Sequence, residues 1–424
     1  MTQPNLRQIP GFLAGLALLV SLFALPQPSS ANPAFARQYS MSCITCHAAF
    51  PRLNSFGQQF LNDNIRLPNW REQIGVDTGD DQLMLPKFPQ LAVRAQAYVQ
   101  ARQAEARSGA TTDADPAVDF QSPYLIKLLS GSPLSDHISY YFYGILAEKG
   151  GNGTALVEDA WLNHDDIFGS GVSMMLGQFQ VSDLMFPRET RLTVQDFIPY
   201  RMAGITYERG VSFSRDVGPL SLALGLVNGN GIEANAKVNS AGYSRPDRAF
   251  DTDSKKSMFG RVGANIGPIK AGLFALSGEQ ASDVTSQQDT KKRVLGLDLS
   301  GNKDDKLFWF VQLLDNRWED FLVAGKTAQW RGGFAGVDYV YSDRWTYSLL
   351  YSQADAGDFK NSATQYEGIA LKSLTGTASY YFMRNVKGVM ELNVDLLGKD
   401  QNPTDGYGHD TKEGYFLVGF DVAF

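Results

Sequence analysis

Both cysteines of the 424-residue chain fall in one pentapeptide, Cys43-Ile44-Thr45-Cys46-His47. C-x-x-C-H is the attachment spacing for a c-type haem: each thiol adds to one vinyl group, and the adjacent imidazole is carried onto the iron. Covalent attachment of this kind lets a short peptide hold a large cofactor without a full burying core. Other uses of paired thiols fit the surroundings less well. A thioredoxin-like dithiol wants a βαβ setting, and RQYSMSCITCHAAFPRLNSFGQQF offers none. A zinc site needs four ligands, yet His137, His164 and His409 lie far off in the chain. A disulfide between residues three apart would constrain almost nothing. The motif therefore implies one covalently bound c-type haem, attached at Cys43 and Cys46, with His47 as the proximal iron ligand.

The segment expected to carry the motif is short, residues 32–88, a monohaem cytochrome domain that reads as mostly helical. Its clearest helix is expected near Leu53–Asn64, where Leu53, Phe56, Phe60 and Leu61 share one face. A unit of this size is marginal alone, so the haem, and docking in or under a larger body, must supply the missing burial. Met84, in Leu83-Met84-Leu85-Pro86-Lys87, is placed to return to the iron as distal ligand; Met41 lies too near Cys43, and Lys87, His137 and His164 are further candidates. Ahead of this segment, Arg7 precedes an apolar run from Gly11 to Leu25 and a Pro/Ser-containing stretch with Ser29 and Ala31. That run is shorter than the ~20 residues of a spanning helix, and residues 1–31 read as a secretory signal peptide.

The remainder, residues 89–424, reads as a transmembrane β-barrel. Leu220, Leu222, Leu224 and Leu226 alternate with Ser221, Ala223 and Gly225; Met390, Leu392, Val394 and Leu396 alternate with Glu391, Asn393 and Asp395. Such alternation fits a wall with lipid outside and water inside. Sixteen antiparallel strands are expected, near 91–103, 122–131, 136–148, 154–164, 171–179, 203–213, 217–228, 257–267, 268–280, 291–300, 305–315, 329–342, 343–353, 373–383, 386–397 and 413–424. The connections alternate long and short, as outer-membrane barrels do with extracellular loops and periplasmic turns. An even count places both mature termini in the periplasm. The final strand, with Phe416, Val418, Phe420, Val422 and Phe424 on one face, resembles the carboxy-terminal insertion signal of bacterial outer-membrane barrels. Composition agrees: 41 glycines and 12% aromatic residues suit tight turns and interfacial girdles, and a formal charge of −7 offers no basic excess for nucleic acid.

Residues Ala34-Phe35-Ala36-Arg37-Gln38, Met41 through His47, and Phe50-Pro51-Arg52-Leu53-Asn54-Ser55-Phe56-Gly57 resemble the opening of the fused monohaem cytochrome–porins, the outer-membrane iron oxidases of iron-oxidising bacteria. Leu85-Pro86-Lys87-Phe88-Pro89-Gln90-Leu91-Ala92-Val93-Arg94 resembles that family's junction into the first barrel strand. Over the barrel the resemblance is architectural only, and one fold serves many functions. It implies an enzyme that takes electrons from extracellular Fe(II) through the haem to a periplasmic cytochrome. It maps no iron-binding residue, but the acidic loops suggest entry carboxylates at Asp183, Glu189 and Asp196, with Asp251, Asp253, Asp355 and Asp358 beside them. Because a hydrocarbon core is about 30 Å thick, one haem can link the two faces only from within the lumen. Two rival expectations remain: a porin for small solutes with a haem-bearing plug, and an electron conduit running outward to external acceptors. The loop around Phe186-Pro187-Arg188-Glu189-Thr190-Arg191 is long enough to fold into the lumen under any of them.

Overall fold

The computed structural model describes residues 33–88, 90–106, 117–147, 156–195, 197, 199–200, 203–229, 254–281, 289–321, 325–355, 358, 371–383, 385–396 and 411–424. The expected signal peptide, 1–31, and the loop near 149–153 lie outside them.

Sixteen antiparallel strands close into one barrel. In chain order they are β1 Ala92–Ala106, β2 Ala117–Pro133, β3 Ile138–Ala147, β4 Leu156–His164, β5 Ser173–Gln180, β6 Tyr207–Val217, β7 Leu220–Val227 and β8 Ser257–Ile266, followed by β9 Ile269–Ala281, β10 Asp289–Lys303, β11 Leu307–Glu319, β12 Thr327–Val340, β13 Trp345–Asp355, β14 Leu371–Met383, β15 Val386–Asp395 and β16 Thr411–Ala423. Each strand pairs with the next in sequence, and β16 closes on β1 with Val418 opposite Val99 and Asp421 opposite Gln96. All sixteen sequence-based strands correspond to observed ones; several observed strands run further at the long-loop end. A sheet closed on itself leaves no backbone edge in lipid, which is the condition for strands to cross a membrane. Among the described residues, no helix is long and apolar enough to cross one.

The alternation is inside-out relative to a soluble protein. Leu222, Leu224, Leu273, Leu295, Leu313, Leu349, Leu392 and Phe420 stand exposed on the outer face. The buried partners on the inner face are polar: Gln312, Asn316, Asp338, Ser348, Thr375, Thr377, Glu391, Asn393 and Asp421. An apolar exterior over a polar interior is the pattern of a lipid-facing barrel.

Two insertions fill the lumen. The long β5–β6 connection folds inward, so that Phe186, Phe197 and Tyr200 pack on Phe310 and Phe334 of the opposite wall; the Phe186 and Phe310 rings are 4.3 Å apart, and those of Phe197 and Phe334 4.7 Å. Tyr200 donates to Gln312 Oε1 at 2.8 Å. From the short-turn end the N-terminal segment enters. Its described part holds three short helices, α1 Pro33–Tyr39, α2 Ser55–Asn62 and α3 Trp70–Ile74, plus two short antiparallel ribbons and turns. It is less helical than its sequence suggested, because Asn64, Pro68, Gly75, Gly79 and Pro86 punctuate everything beyond α2. Tyr39, Phe60, Ile65 and Trp70 form its own small core.

Candidate functional site

Cys43 opens a three-residue 3-10 turn that ends at Thr45, and Cys46 caps it through its backbone N–H to Cys43 O. Asn54 locks this turn to helix α2. Its Nδ2 donates to Ile44 O at 3.1 Å and Thr45 O at 3.0 Å, its backbone N–H donates to Cys46 O, and its Oδ1 accepts from Gly57 N–H at 2.8 Å as the N-cap of α2. Gly57 is required by contact: a Cβ there would overlap the Cys46 carbonyl oxygen. The helix thus lies directly on the thiol-bearing turn. Sequence reasoning singled out neither role, since both depend on groups that periodicity does not display.

His47 comes next in the chain, with a fixed tautomer. Its Nδ1 lies 3.0 Å from Pro51 O, an acceptor only, so Nδ1 carries the proton and Nε2 keeps its lone pair. An orienting backbone carbonyl of this kind is the usual outer partner of a metal-bound imidazole. Neither cysteine is in a disulfide; Cys43 is buried and Cys46 half-buried. Burial pushes the Cys46 thiol up from its ordinary value, which keeps it a thiol rather than a reactive thiolate at neutral pH.

The loop after His47 is fastened to the barrel on two sides. Arg52 forms a buried ion pair with Asp338 on β12, its guanidinium 4.6 Å from the Phe308 ring centroid. Phe50 O accepts from Lys387 Nζ on β15 at 3.1 Å and from Tyr381 Oη on β14 at 3.4 Å. The Phe50 ring lies between His47 and Arg94, 5.3 Å from the imidazole centroid and 4.9 Å from the guanidinium carbon. Further out, Arg66 pairs with Asp165 at 2.9 Å, and Asn64 donates to His137 O at 3.1 Å.

Cys43, Cys46 and His47 line one cavity of about 910 Å³, together with Met41, Phe50 and Leu53, the inner wall around Arg94, Tyr98, Lys127 and Tyr143, and the in-folded loop at Asp183, Arg188 and Arg191. Its volume is at the upper end of the range for cofactor and ligand sites. Two thiols at the attachment spacing and outside any disulfide, an imidazole protonated on Nδ1, apolar rings and nearby cations together form a donor set that fits a c-type haem.

The other expected residues are distributed unevenly. Met84 packs beside Gly75 in the small core with Tyr39, Phe60 and Trp70, and is not among the residues lining the cavity; Met41 is. Lys87 is exposed. His137 and His164 stack at the short-turn rim with ring centroids 5.6 Å apart, and His137 Nδ1 lies 2.7 Å from Asp165 Oδ1. Asp183 lines the cavity but sits between Arg188 and Arg191, 3.5 Å from each. Glu189 falls in the 3-10 turn Arg188–Thr190; its side chain, together with Asp196, Asp251 and Asp253, lies outside the described residues. Asp358 Oδ2 accepts from Gln329 N–H, and Asp355 ends β13 exposed. Among the described residues, no group of three or more His, Cys, Asp or Glu is gathered as a metal-ion site.

No family model and no curated protein matches the chain. Solved structures do. An anion-selective porin from Comamonas acidovorans is similar at 12% identity and a TM-score of 0.53, over 79% of this chain and 98% of the porin. The outer membrane channel DcaP of Acinetobacter baumannii is similar at 12% identity and a TM-score of 0.54, over 79% and 97%. Salmonella typhi OmpF, in complex with daunomycin, is similar at 10% identity and 0.50, over 83% and 100%. The fold is therefore that of the sixteen-stranded outer-membrane porins, which points to a bacterial outer membrane.

Proposed function

We propose that this chain is an outer-membrane electron-transfer protein that takes electrons from extracellular Fe(II) and delivers them to a periplasmic cytochrome. One observation carries the reading: both cysteines and His47 line a single cavity walled also by the rest of the N-terminal segment, the barrel's inner face and the in-folded loop. A c-type haem attached there would supply a one-electron centre inside the barrel. The chain's own residues then do three things. Pro51 O holds the imidazole proton on Nδ1, so Nε2 is the nitrogen that would ligate the iron. Arg52 and Lys387 hold the motif to one side of the wall, at β12 and β15. The β5–β6 loop packs across the lumen onto Phe310 and Phe334 and lines the cavity. Fe(II) oxidation transfers an electron without breaking a covalent bond, so it calls for no nucleophile or general base. Of the loop carboxylates named from the sequence, Asp183 is already paired with Arg188 and Arg191, so drawing the cation inward would fall to Glu189 and Asp196.

A second reading, a porin for small solutes plugged by the N-terminal segment, is favoured by the likeness to the anion-selective porin and to DcaP. Purified protein separates the two. The first reading expects a haem band that survives a denaturing gel, a c-type reduced-minus-oxidised spectrum, and reduction of the oxidised protein by Fe(II) at neutral pH. Absence of covalent haem would sink it. Haem that Fe(II) leaves oxidised would remove the iron assignment. A planar-bilayer conductance of open-porin size would favour the second reading.

A further inference from the structure

Lys127 sits on the inner face of β2, opposite Arg94 of β1 in the strand register, and lines the cavity. The cations nearby are neutralised. Arg94 makes two hydrogen bonds to Asp421, at 2.8 and 2.5 Å, and Arg188 pairs with Asp159 and Asp183. Lys127 makes no ion pair among the described residues; its Nζ rests 4.9 Å from the Tyr143 ring centroid, with Arg188 near the same ring at 5.4 Å. The charges around it are Arg94, Glu158, Asp421 and Arg188, contributed by β1, β4, β16 and the in-folded loop. Tyr143 belongs to one packed cluster with Tyr98. The Tyr98 hydroxyl is buried and has no hydrogen-bond partner among the described residues, although Tyr98 also lines the cavity. An ammonium without an ion pair and a buried, unsatisfied hydroxyl on one cavity wall each carry a desolvation cost that a bound acceptor would relieve.

We propose that Lys127 and Tyr98 form a carboxylate clamp that binds an acid side chain of the cofactor attached at Cys43, Cys46 and His47. The clamp rests on the haem reading of that motif. It explains why the β1–β2 wall keeps one cation without an ion pair while its neighbours are matched. Lys127 supplies the charge and Tyr98 donates a hydrogen bond, both strengthened by the low dielectric of the lumen wall. Neither residue touches the iron ligand; they position and charge-balance the cofactor.

The test uses the full-length haem-loaded chain and its reduction midpoint potential as a function of pH. Lys127→Gln removes a cation that favours the reduced, more negative state, so the potential is expected to fall by the equivalent of a tenfold shift in the redox equilibrium, about 59 mV. The freed carboxyl then titrates in the neutral range, and the potential acquires a pH dependence between about 6 and 8 that the parent chain lacks. Lys127→Arg restores the parent values, and Tyr98→Phe gives a smaller fall in the same direction. Equal potentials and equal pH profiles in the parent chain and Lys127→Gln, with heat-modifiable gel mobility confirming both barrels, would overturn the clamp. If millimolar acetate shifts the parent potential and leaves Lys127→Gln unmoved, the ammonium serves a free solute carboxylate, and the assignment to the cofactor falls. A parent chain without covalent haem removes the haem reading and the clamp with it, an outcome distinct from a haem-bearing chain indifferent to Lys127.

Discussion

Asn54 joins two short elements that would otherwise have little to hold them together. It satisfies two carbonyls of the thiol-bearing turn and an N–H in the first turn of α2, while Gly57 lets the helix descend onto Cys46. Loss of an N-cap costs about 1 kcal/mol, and two further hydrogen bonds add roughly 0.5–1.5 kcal/mol each. In a segment this small, that decides whether the turn keeps its shape. On the proposed haem reading, Asn54→Ala is expected to lower the fraction of chains carrying covalent haem, measured as haem stain per unit protein. Gly57→Ala is expected to lower it more, because the new methyl meets backbone that cannot rotate away. Barrel folding, followed by gel mobility with and without heating, should be unchanged in both. If haem loading in Asn54→Ala equals that of the parent, the turn holds itself and the assigned role is wrong. The Cys43–Cys46–His47 spacing was legible because any chemistry it has is written in contiguous residues. Asn54 was not, because its partners are backbone groups that nearly every residue possesses. Met84 was read as reaching the iron from its position in the chain; only the packing of Tyr39, Phe60 and Trp70 reveals that it has an apolar place of its own.

At the scale of elements, two unlike ion pairs stand out among those that join the N-terminal segment to the barrel. The side chains of Arg52 and Asp338 are 5% and 1% exposed, whereas those of Arg66 and Asp165 are 25% and 19% exposed. Removing one partner of a buried pair strands the other charge and costs about 3–5 kcal/mol, while a more exposed pair is worth ~0–1 kcal/mol. Arg52→Ala is therefore expected to free the segment from the lumen, seen as rapid protease cleavage within residues 33–91 of the folded protein. Arg66→Ala should leave cleavage near the parent rate. Equal protection in both variants would mean that the segment is held by packing alone. The strands themselves were largely readable, since a period of two with an apolar outer face repeats along the wall. Their long-loop ends were not, because beyond the lipid the outer face need not be apolar and the alternation fades. The inward fold of the β5–β6 loop was readable only as a matter of length; what holds it, Phe186 and Phe197 against Phe310 and Phe334, joins residues more than a hundred positions apart.

For the whole molecule, the lumen is entered from both ends. The β5–β6 loop descends from one side, the N-terminal segment rises from the other, and they meet where the Arg52 guanidinium lies 5.7 Å from the Phe186 ring centroid. Sixteen strands make a barrel wide enough for an aqueous channel, so the insertions, not the wall, set what passes. The barrel does not depend on the N-terminal segment for its edges, since β16 pairs directly with β1 along thirteen residue pairs from Thr411 to Ala423. A chain lacking residues 33–88 but keeping residues 1–32 should therefore still insert, and should lose the plug, the thiols and His47 together. In a planar bilayer the full chain is expected to show little steady conductance, and the shortened chain steps at least several-fold larger, limited by the β5–β6 loop. Equal conductance would show that the segment leaves an open path beside it. If that equal conductance is of open-porin size, it favours the solute-channel reading, because the lumen would pass solutes with the segment in place.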